Sequence, residues 1–388
     1  MRNVFWAALF AILLVALLTL GLWPFHVPLN DAGFRPGSAG LYLGGVGTAI
    51  GRKSLLLEGR EPLGCSFEIW AEPGEVVDGG TLLSLQKTGS KSGLLIGQED
   101  RDLKIAVRAP GAYGLVKSWI GAKDVFELRK SVFLTVTSGA AGTRIYADGV
   151  LKLAASHIHL AEPAYSGNLV LGDAQSDSDG WKGRLRGAAI YDAELSTEQV
   201  LKHYSEWIAQ GRPSDTAADR IRALYLFDEG QGKVITNRAG NGPDLELPVR
   251  YSVLNKLLLE PFWDSFNGSP NWHDIFNNVI GFVPFGFSLM ALLAGNPNVR
   301  KAALMAVLAG FALSLGIETA QGLWLPTRES DTTDILTNTL GTCIGVCAYT
   351  GTRRFIESMS EASLKRKLGF LAVLQPLLLW VPPPGRPE

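Results

Sequence analysis

The sequence contains few cysteines, only three among 388 residues, and no C-x-x-C motif. Cys65 stands alone in a polar region. Cys343 and Cys347 lie one helical turn apart within an apolar run, where cysteine usually serves as a small packing residue. A disulfide scaffold and a zinc ribbon are therefore not predicted.

An excess of charge of one sign and the common enzymatic motifs are also missing. The formal net charge is -1, so the composition offers no basic field that would favour nucleic acid as a partner. No G-x-S-x-G, P-loop, H-E-x-x-H or dinucleotide-binding motif occurs. We predict no cofactor and no nucleic-acid partner.

Long apolar runs, by contrast, lie near both ends of the chain. Residues 4–22 form a nearly unbroken apolar run after Arg2, and as a helix they would span about 29 Å, close to the hydrocarbon thickness of a bilayer. This run is longer than the core of a signal peptide, and an aromatic edge at residues 23–26 follows it in place of a small-residue cleavage site. We expect residues 1–29 to be an uncleaved transmembrane anchor.

Residues 30–210 alternate short apolar segments with turns rich in Gly, Asp, Ser and Pro. Many short strands separated by such turns are typical of an all-β sandwich or jelly roll. Asp148-Gly149 predicts a tight hairpin, and residues 196–208 predict a helix with Ser196 as its N-cap. The predicted strands are residues 54–57, 65–71, 80–86, 93–98, 103–107, 132–137, 143–147, 168–171 and 183–191.

This region resembles the laminin-G-like, concanavalin A-like jelly rolls. The resemblance lies in SFEIWA at 66–71, in YADG at 146–149, and in residues 168–195 with the helix that follows. It implies a jelly-roll fold, while the ligand stays open, because such domains bind sugars, proteins or no known partner. A glycan or an envelope protein is the partner that we expect. Residues 211–272 follow as a linker. Within it, residues 223–250 either complete the sandwich, which we favour, or add an orphan strand at its edge.

The last third of the chain predicts an α-helical transmembrane bundle. The predicted spans are residues 275–294, 302–324, 333–349 and 368–381, of which the last is short and interrupted by proline. Basic residues lie between the first two and between the last two of these spans, so the positive-inside rule places the N-terminus in the cytoplasm and the jelly roll outside. We expect a multi-pass protein of a bacterial inner membrane.

Polar and ionisable side chains interrupt these spans. Because such residues are costly in a membrane, their presence indicates a functional site. They form two stripes at helical spacing, which we expect to meet near the outer ends of two antiparallel helices, with Arg328 in the short loop between them. A guanidinium can pair bidentately with a carboxylate or a phosphate. The ligand-binding candidates are Asn278, Ser314, Glu318, Gln321, Arg328, Asp331, Asp334 and Asn338.

The same residues resemble the VanZ-like family of bacterial membrane proteins. The pattern comprises E-x-x-Q at 318–321, R-x-x-D-x-x-D at 328–334 and N-x-x-G at 338–341, preceded by Asn277-Asn278, either of which could match. The resemblance implies that residues 273–350 form a VanZ-like domain. Hydropathy and the positive-inside rule then assign residues 351–388 to a cytoplasmic loop and a last helix. The family's founding member is associated with glycopeptide resistance, which implies a cell-envelope role and no settled reaction.

Three functional hypotheses follow. In the leading one, the jelly roll binds a glycan or protein, while the membrane cluster binds a polar headgroup such as a lipid-linked sugar phosphate. In the second, Glu318 or Asp334 is a general acid or base acting on a lipid-linked envelope precursor. In the third, the polar residues only hold helices together, and the jelly roll is an interaction module.

A metal site is a weak further hypothesis. Asp173, Asp177 and Asp179 lie close together in the sequence, but the glutamate that closes an EF-hand loop is missing. A solvated turn between strands is the favoured interpretation of these residues.

Overall fold

The computed structural model describes residues 2–55, 64–77, 79–87, 93–111, 114–160, 167–172, 180–214, 220–240, 242–254, 256–262, 272–295 and 298–357. These residues divide into two compact units. The helical unit draws on residues 1–21, 271–317 and 333–388, and the sandwich unit on residues 22–270 together with 318–332. The predicted span at 368–381 lies outside the described residues.

The elements are α1 (Arg2–Leu22), β1 (Gly33–Arg35), β2 (Ser38–Gly44), β3 (Thr48–Leu55), β4 (Cys65–Pro73), β5 (Gly79–Gln86), β6 (Gly93–Glu99), β7 (Asp102–Gly111), β8 (Gly114–Ala122), β9 (Val132–Gly139), β10 (Gly142–Ala147), β11 (Val150–Ala155), β12 (Gly167–Gly172), β13 (Lys182–Tyr191), α2 (Thr197–Gln210), β14 (Ile221–Tyr225), β15 (Val234–Ile235), β16 (Leu245–Glu246), α3 (Trp272–Leu292), α4 (Val299–Trp324) and α5 (Thr332–Glu357).

The strands form two antiparallel sheets. The first has the order β1-β2-β13-β4-β9-β10-β11, with β14 also paired to β13, and the second has the order β15-β16-β3-β12-β5-β6-β7-β8. Alternating apolar residues of both sheets, such as Phe67, Leu85 and Leu134, are buried in one shared core. The predicted jelly-roll sandwich is therefore confirmed.

Two local predictions in this sandwich are also confirmed. Asp148 and Gly149 both have positive φ values, 51° and 75°, and close the hairpin between β10 and β11, as a two-residue turn of this kind requires. Ser196 caps α2, and Gln199 completes a capping box with it.

Other strands differ from the prediction. β3 begins at Thr48, well before the predicted strand at 54–57, and the described strands β1, β2, β8 and β11 were not predicted.

Residues 223–250 contribute strands to both sheets. β14 pairs with β13, for example Leu224 with Ala189, and β16 pairs with β3 through Leu245 and Gly51. Tyr251 then donates its backbone N–H to Pro28 O at 3.0 Å. This stretch therefore completes the sandwich, in agreement with the interpretation that the sequence favoured.

Helix α2 covers part of the outer face of the first sheet. Val200 and Trp207 are fully buried there against Phe133 and Tyr191. Beneath the helix lies Glu68, a fully buried carboxylate on β4. It accepts hydrogen bonds from Tyr191 Oη at 2.6 Å, His203 Nδ1 at 2.8 Å and Trp207 Nε1 at 2.9 Å. Three donors compensate for the desolvation of this charge and fix α2 on the sheet.

The helical unit packs α1 against the C-terminal helices. The ring centroids of Phe10 and Phe285 lie 5.2 Å apart, and Met290, Ala302 and Val346 form a small buried core between α3, α4 and α5. Within the described residues, three segments are long and apolar enough to cross a membrane: Val4–Leu22, Trp272–Gly295 and Val299–Trp324. These correspond to the predicted N-terminal anchor and to the predicted spans at 275–294 and 302–324.

Helix α5 confirms the predicted helix at 333–349 but falls outside that apolar set, because its first half carries Asp334, Asn338 and several threonines. The threonine hydroxyls are hydrogen-bonded along the helix itself, as in Thr339 Oγ1 to Ile335 O at 2.6 Å and Thr342 Oγ1 to Asn338 O at 3.0 Å. Such bonding lowers the cost of burying a hydroxyl among helices.

Candidate functional site

In the helical unit, α3 and α5 share a polar pair. Asn278 Nδ2 donates to Asp334 Oδ1 at 2.7 Å. The neighbouring Asn277 bonds instead with His273 on its own helix, at 2.9 Å. Of the two neighbouring asparagines, Asn278 is therefore the one that contacts Asp334 of α5. The sequence pattern alone did not distinguish between them.

A second pair joins α4 to α5. Asn338 Nδ2 donates to Ser314 Oγ at 2.9 Å, and both side chains are buried. Oδ1 of Asn338 is buried and has no hydrogen-bond partner among the residues that the structure describes. Exchanging the two ends of the amide would place Nδ2 at this position instead of Oδ1. Buried polar atoms are rarely left without a partner, so Asn338 stays a candidate for contact with a further polar group.

In the sandwich unit, Glu318 is 2% exposed near the end of α4. Its Oε2 accepts the backbone N–H of Asp331 at 2.9 Å. Asp331 is not helical, since α5 begins at Thr332, and it forms a parallel β-bridge with Glu260. Asp331 therefore belongs to the loop before α5, although its spacing from Asp334 and Asn338 matches a helical stripe. Its backbone pairs there with a chain segment that is distant in sequence.

That segment, residues 256–260, is called the strap below. Glu260 donates its N–H to Ser330 O at 2.8 Å and accepts from Thr332 N at 3.0 Å, and Ser330 Oγ donates to Leu258 O at 2.6 Å. The strap therefore holds residues 330–332 by backbone pairing. It places the backbone N–H of Asp331 where Glu318 binds it.

Lys256 at the start of the strap caps the last turn of α4. Its Nζ donates to the carbonyl oxygens of Gln321, at 2.6 Å, and of Leu325. A cation is favourable beside the C-terminal carbonyls of a helix. Burial lowers the pKa of Lys256 to about 8, while Glu329 and Glu260 act in the opposite direction. Sequence reasoning missed Lys256, because no spacing or motif links it to a helix end 65 residues away.

Removing Lys256 should change how stability depends on pH. The pKa of about 8 in the folded protein lies below the usual value of about 10.4, so the unfolded chain binds more protons between these two values. Stability should therefore rise with pH over this range, and the Lys256→Met variant should lose that rise. Thermal unfolding of both proteins from pH 7.5 to 10.5 measures the effect. The exposed Lys152→Met is the control, and identical slopes in wild type and Lys256→Met would contradict the assignment.

The remaining candidates differ in their surroundings. Arg328 is exposed and forms no ion pair with any residue in the described part of the chain. Gln321 is 3% exposed, on the same helix as Glu318. Asp173, Asp177 and Asp179 lie outside the described residues. Among described residues, no group of three or more His, Cys, Asp or Glu side chains is placed to hold a metal ion. The predicted convergence of both polar stripes with Arg328 stays a prediction.

The comparisons with known proteins match two parts of the chain. Residues 235–355 match the model of the VanZ/LLP1 family, and residues 56–201 match that of the Concanavalin A-like lectin/glucanases superfamily. The chain joins a concanavalin A-like domain to a VanZ-like membrane region. The VanZ-like match includes the strap as well as α3, α4 and nearly all of α5. No curated protein matches the sequence.

Three solved structures are similar to the sandwich. A Bacteroides ovatus protein proposed to bind carbohydrate is 12% identical with a TM-score of 0.39; the match covers 58% of this chain and 61% of that one. A SAP-like pentraxin from Limulus polyphemus is 14% identical (TM-score 0.35), covering 57% and 96%. The IT-sialidase CBM40 of Ruminococcus gnavus, bound to α2,3-sialyllactose, is 12% identical (TM-score 0.32), covering 42% and 95%. Likenesses this distant carry no inference about a ligand.

The protein is thus a membrane protein with a VanZ-like region and a domain of a fold class that includes lectins. Exposed tryptophan rings can form the apolar platform of a sugar site, so the exposure of the tryptophans in the jelly roll bears on glycan binding. Trp181 and Trp207 are buried and Trp70 is half-buried, as expected for core residues. Trp119 on β8 is 64% exposed, with Lys104 Nζ 5.3 Å from the centroid of its ring.

Proposed function

We propose that this protein is a bacterial cell-envelope protein of the inner membrane. Its jelly roll binds a glycan or a protein outside the cytoplasm. Its VanZ-like region binds the polar headgroup of a lipid-linked envelope molecule through the polar residues of α3, α4 and α5. The VanZ-like match and the lectin-like fold support a membrane protein with a binding module.

One observation carries the headgroup assignment: polar side chains buried in and beside apolar helices exceed what packing needs. Interhelical hydrogen bonds contribute about 0.6–2 kcal/mol each, and the Asn278–Asp334 and Ser314–Asn338 pairs already supply two. Glu318 adds a buried carboxylate, and Asn338 a buried unpartnered polar atom. Residues that cost this much in a membrane favour a bound polar ligand over a purely structural role.

The ends of the helices support the proposed orientation. Arg2 begins α1, Arg300 and Lys301 lie in the first turn of α4, and Arg353 and Arg354 lie in the last turns of α5. Basic residues prefer the cytoplasmic side. The opposite helix ends carry the exposed tryptophans Trp23, Trp272 and Trp324, which suit a membrane–water interface. We propose that the basic ends are cytoplasmic and that the strap and Arg328 lie outside.

The exposed Arg328 suits an anionic headgroup, because a free guanidinium can bind a phosphate bidentately. The Arg328→Ala variant should fail to rescue the envelope phenotype of a deletion strain, and the Glu318→Gln variant should also fail. Complementation in the native host, with membrane abundance measured by immunoblot, tests this prediction. Arg300→Ala, an exposed arginine in α4, is the matched control and should complement fully.

Two outcomes would count against this proposal. Full complementation by both variants would remove Arg328 and Glu318 from the function. A variant that fails to complement and is also absent from the membrane would assign Arg328 and Glu318 to folding and favour the scaffold hypothesis. Loss of function at normal abundance supports the proposal.

The buried carboxylate of Glu318 favours a second candidate function, catalysis on the same headgroup. A carboxyl group within hydrogen-bond reach of a bound substrate can act as a general acid or base. In that case Glu318→Gln would retain the bound lipid but no longer convert it. Analysis of the lipids that accumulate in the variant strain distinguishes catalysis from binding alone.

A further inference from the structure

A row of polar side chains crosses the outer face of the first sheet beyond α2. Three neighbouring strands bring it together, since Arg184 on β13 lies opposite Tyr42 on β2 and opposite Glu72 on β4. Arg184 Nη2 forms an ion pair with Glu72, and its Nη1 donates to Ser38 Oγ at 3.2 Å. The guanidinium of Arg184 is thereby fixed in position on a rigid sheet.

An irregularity in β13 adds a second arginine to this row. The register of β13 with β4 shifts between Leu185 and Gly187, so Arg186 is the extra residue of a β-bulge. Bulges turn side chains away from the regular alternation and occur often beside functional sites. The guanidinium of Arg186 lies 5.3 Å from the centroid of Trp70, and its Nη2 is 3.4 Å from Glu72 Oε2.

A third guanidinium, that of the exposed Arg35, stacks on Tyr42 at 4.2 Å from the ring centroid. We call Arg35, Arg184, Arg186 and the ring of Tyr42 the arginine cluster. Its nearest carboxylate is Glu72. Burial raises the pKa of Glu72, but the hydrogen bonds from Arg184 and Ser131 and the charges of Arg184 and Arg186 outweigh burial, so the net shift is downward.

Among the described residues, the three guanidinium groups of the cluster contact one carboxylate, that of Glu72, through Arg184 and Arg186. Lys182 nearby adds no net charge, because it pairs with Glu75 at 2.8 Å. Nε of Arg184 and Nε of Arg186 are both buried and have no hydrogen-bond partner in the described part of the chain. Buried N–H donors without an acceptor are costly, and charged donors are more costly still. A ligand from solvent does not reach these Nε atoms directly, but an oxyanion at the exposed Arg35 and the partly exposed Arg186 would balance the positive charge of the cluster.

Aromatic rings flank these donors. Tyr42 lies against Arg35 and Arg184, and the half-buried Trp70 lies against Arg186. Rings of this kind offer apolar faces next to polar groups, an arrangement that suits the apolar side of a sugar ring. Sequence reasoning could not have found this cluster, because Arg35, Tyr42, Glu72 and Arg184 come from four separate strands.

We propose that the arginine cluster binds a saccharide that carries an oxyanion, either a carboxylate or a phosphate. The arginines would bind the anion, and Tyr42 and Trp70 would contact the ring. This inference rests on the proposed glycan binding by the jelly roll and adds to it the place and the charge of the ligand. It is independent of the headgroup site in the VanZ-like region.

The test uses the full chain in detergent micelles and measures binding by calorimetry. The probes are glucuronic acid, glucose 1-phosphate, glucose and a glutamate peptide. Both acidic sugars, or one of them, should bind at least tenfold more tightly than glucose, and binding should weaken as salt rises. Arg186→Gln and Arg35→Gln should each weaken binding about tenfold, since each removes a charged donor.

The controls separate the site from the fold. Arg52→Gln removes an exposed arginine on the other sheet and should bind like wild type. Arg186→Lys keeps the charge but loses the planar fork, so it should recover binding only in part. Thermal unfolding of each variant shows whether the sandwich is intact. A variant that unfolds at the wild-type temperature yet loses binding supports the site.

Each contrary outcome has a separate meaning. Binding of glucose equal to that of the acidic sugars would overturn the oxyanion site and leave glycan binding intact. Acidic-sugar binding that survives both arginine variants would place the site elsewhere. Tighter binding of the glutamate peptide than of either acidic sugar would contradict a saccharide ligand and indicate an acidic protein segment instead. Failure to bind any sugar would overturn this inference together with the glycan part of the proposed function, and leave the headgroup part standing.

Discussion

Replacing Glu68 with alanine is expected to lower the free energy of unfolding of the jelly roll by about 3–5 kcal/mol. Glu68 is fully buried, and the substitution leaves Tyr191, His203 and Trp207 without the acceptor that they share. When a buried acceptor is removed, each donor that bonded to it stays desolvated without a partner, and each such donor lowers the stability of the folded state. Because His203 and Trp207 belong to α2, the helix should separate from the sheet first.

Denaturant unfolding of the full chain, followed by tryptophan fluorescence, measures this loss, because Trp207 lies in the network. Glu127→Ala is the matched control. It removes a glutamate of an exposed ion pair with Lys130, and the transition should not move. A Glu68→Ala midpoint equal to that of the control would show that the network contributes little.

Replacing Gly345 with valine should prevent α5 from packing against α3. A Cβ at Gly345 would lie 2.1 Å from Val283 O, and one at Gly341 would lie 2.2 Å from Val279 O. Both clashes are with backbone, which cannot rotate away, so the cost should exceed the ~1–3 kcal/mol typical of overpacking. We expect little folded protein in the membrane.

Gly316→Val provides the comparison for this prediction, because no atom lies within 4 Å of the added Cβ at that position of α4. Fluorescence-detected size-exclusion chromatography of both variants from solubilised membranes measures the folded fraction. A monodisperse Gly345→Val peak of wild-type height would contradict the close approach of α3 and α5.

Local signals account for the parts of the sandwich that were predicted. Asp148-Gly149 and Ser196 act through residues only a few positions away, so their effects are visible in the sequence. β11 was missed because its burial pattern does not alternate; most of its residues are exposed. β2 contains two glycines, and β3 mixes glycine with charged residues, so neither shows a clear strand period.

The polar residues of the helices were predicted from spacing, and their partners were only partly predictable. Helical periodicity placed Asp334 and Asn338 on one face, and the structure pairs them with Asn278 and Ser314. Asp331 has the same spacing, but it lies in the loop before α5 and pairs with the strap. Lys256 could not be predicted, since the carbonyl groups that it caps lie 65 and 69 residues away in sequence.

The central claim is that the polar residues of the VanZ-like region bind a headgroup, and Asp334→Asn tests it most directly. The variant keeps an oxygen that can accept from Asn278, so the helix contact survives while the charge is lost. The measurement is mass spectrometry of the lipids retained by wild type and variant purified from the native host at equal yield. We predict that wild type retains a lipid-linked envelope molecule above its bulk abundance and that Asp334→Asn loses it. Identical lipid profiles in the two proteins would contradict the claim and leave Asp334 as a structural contact.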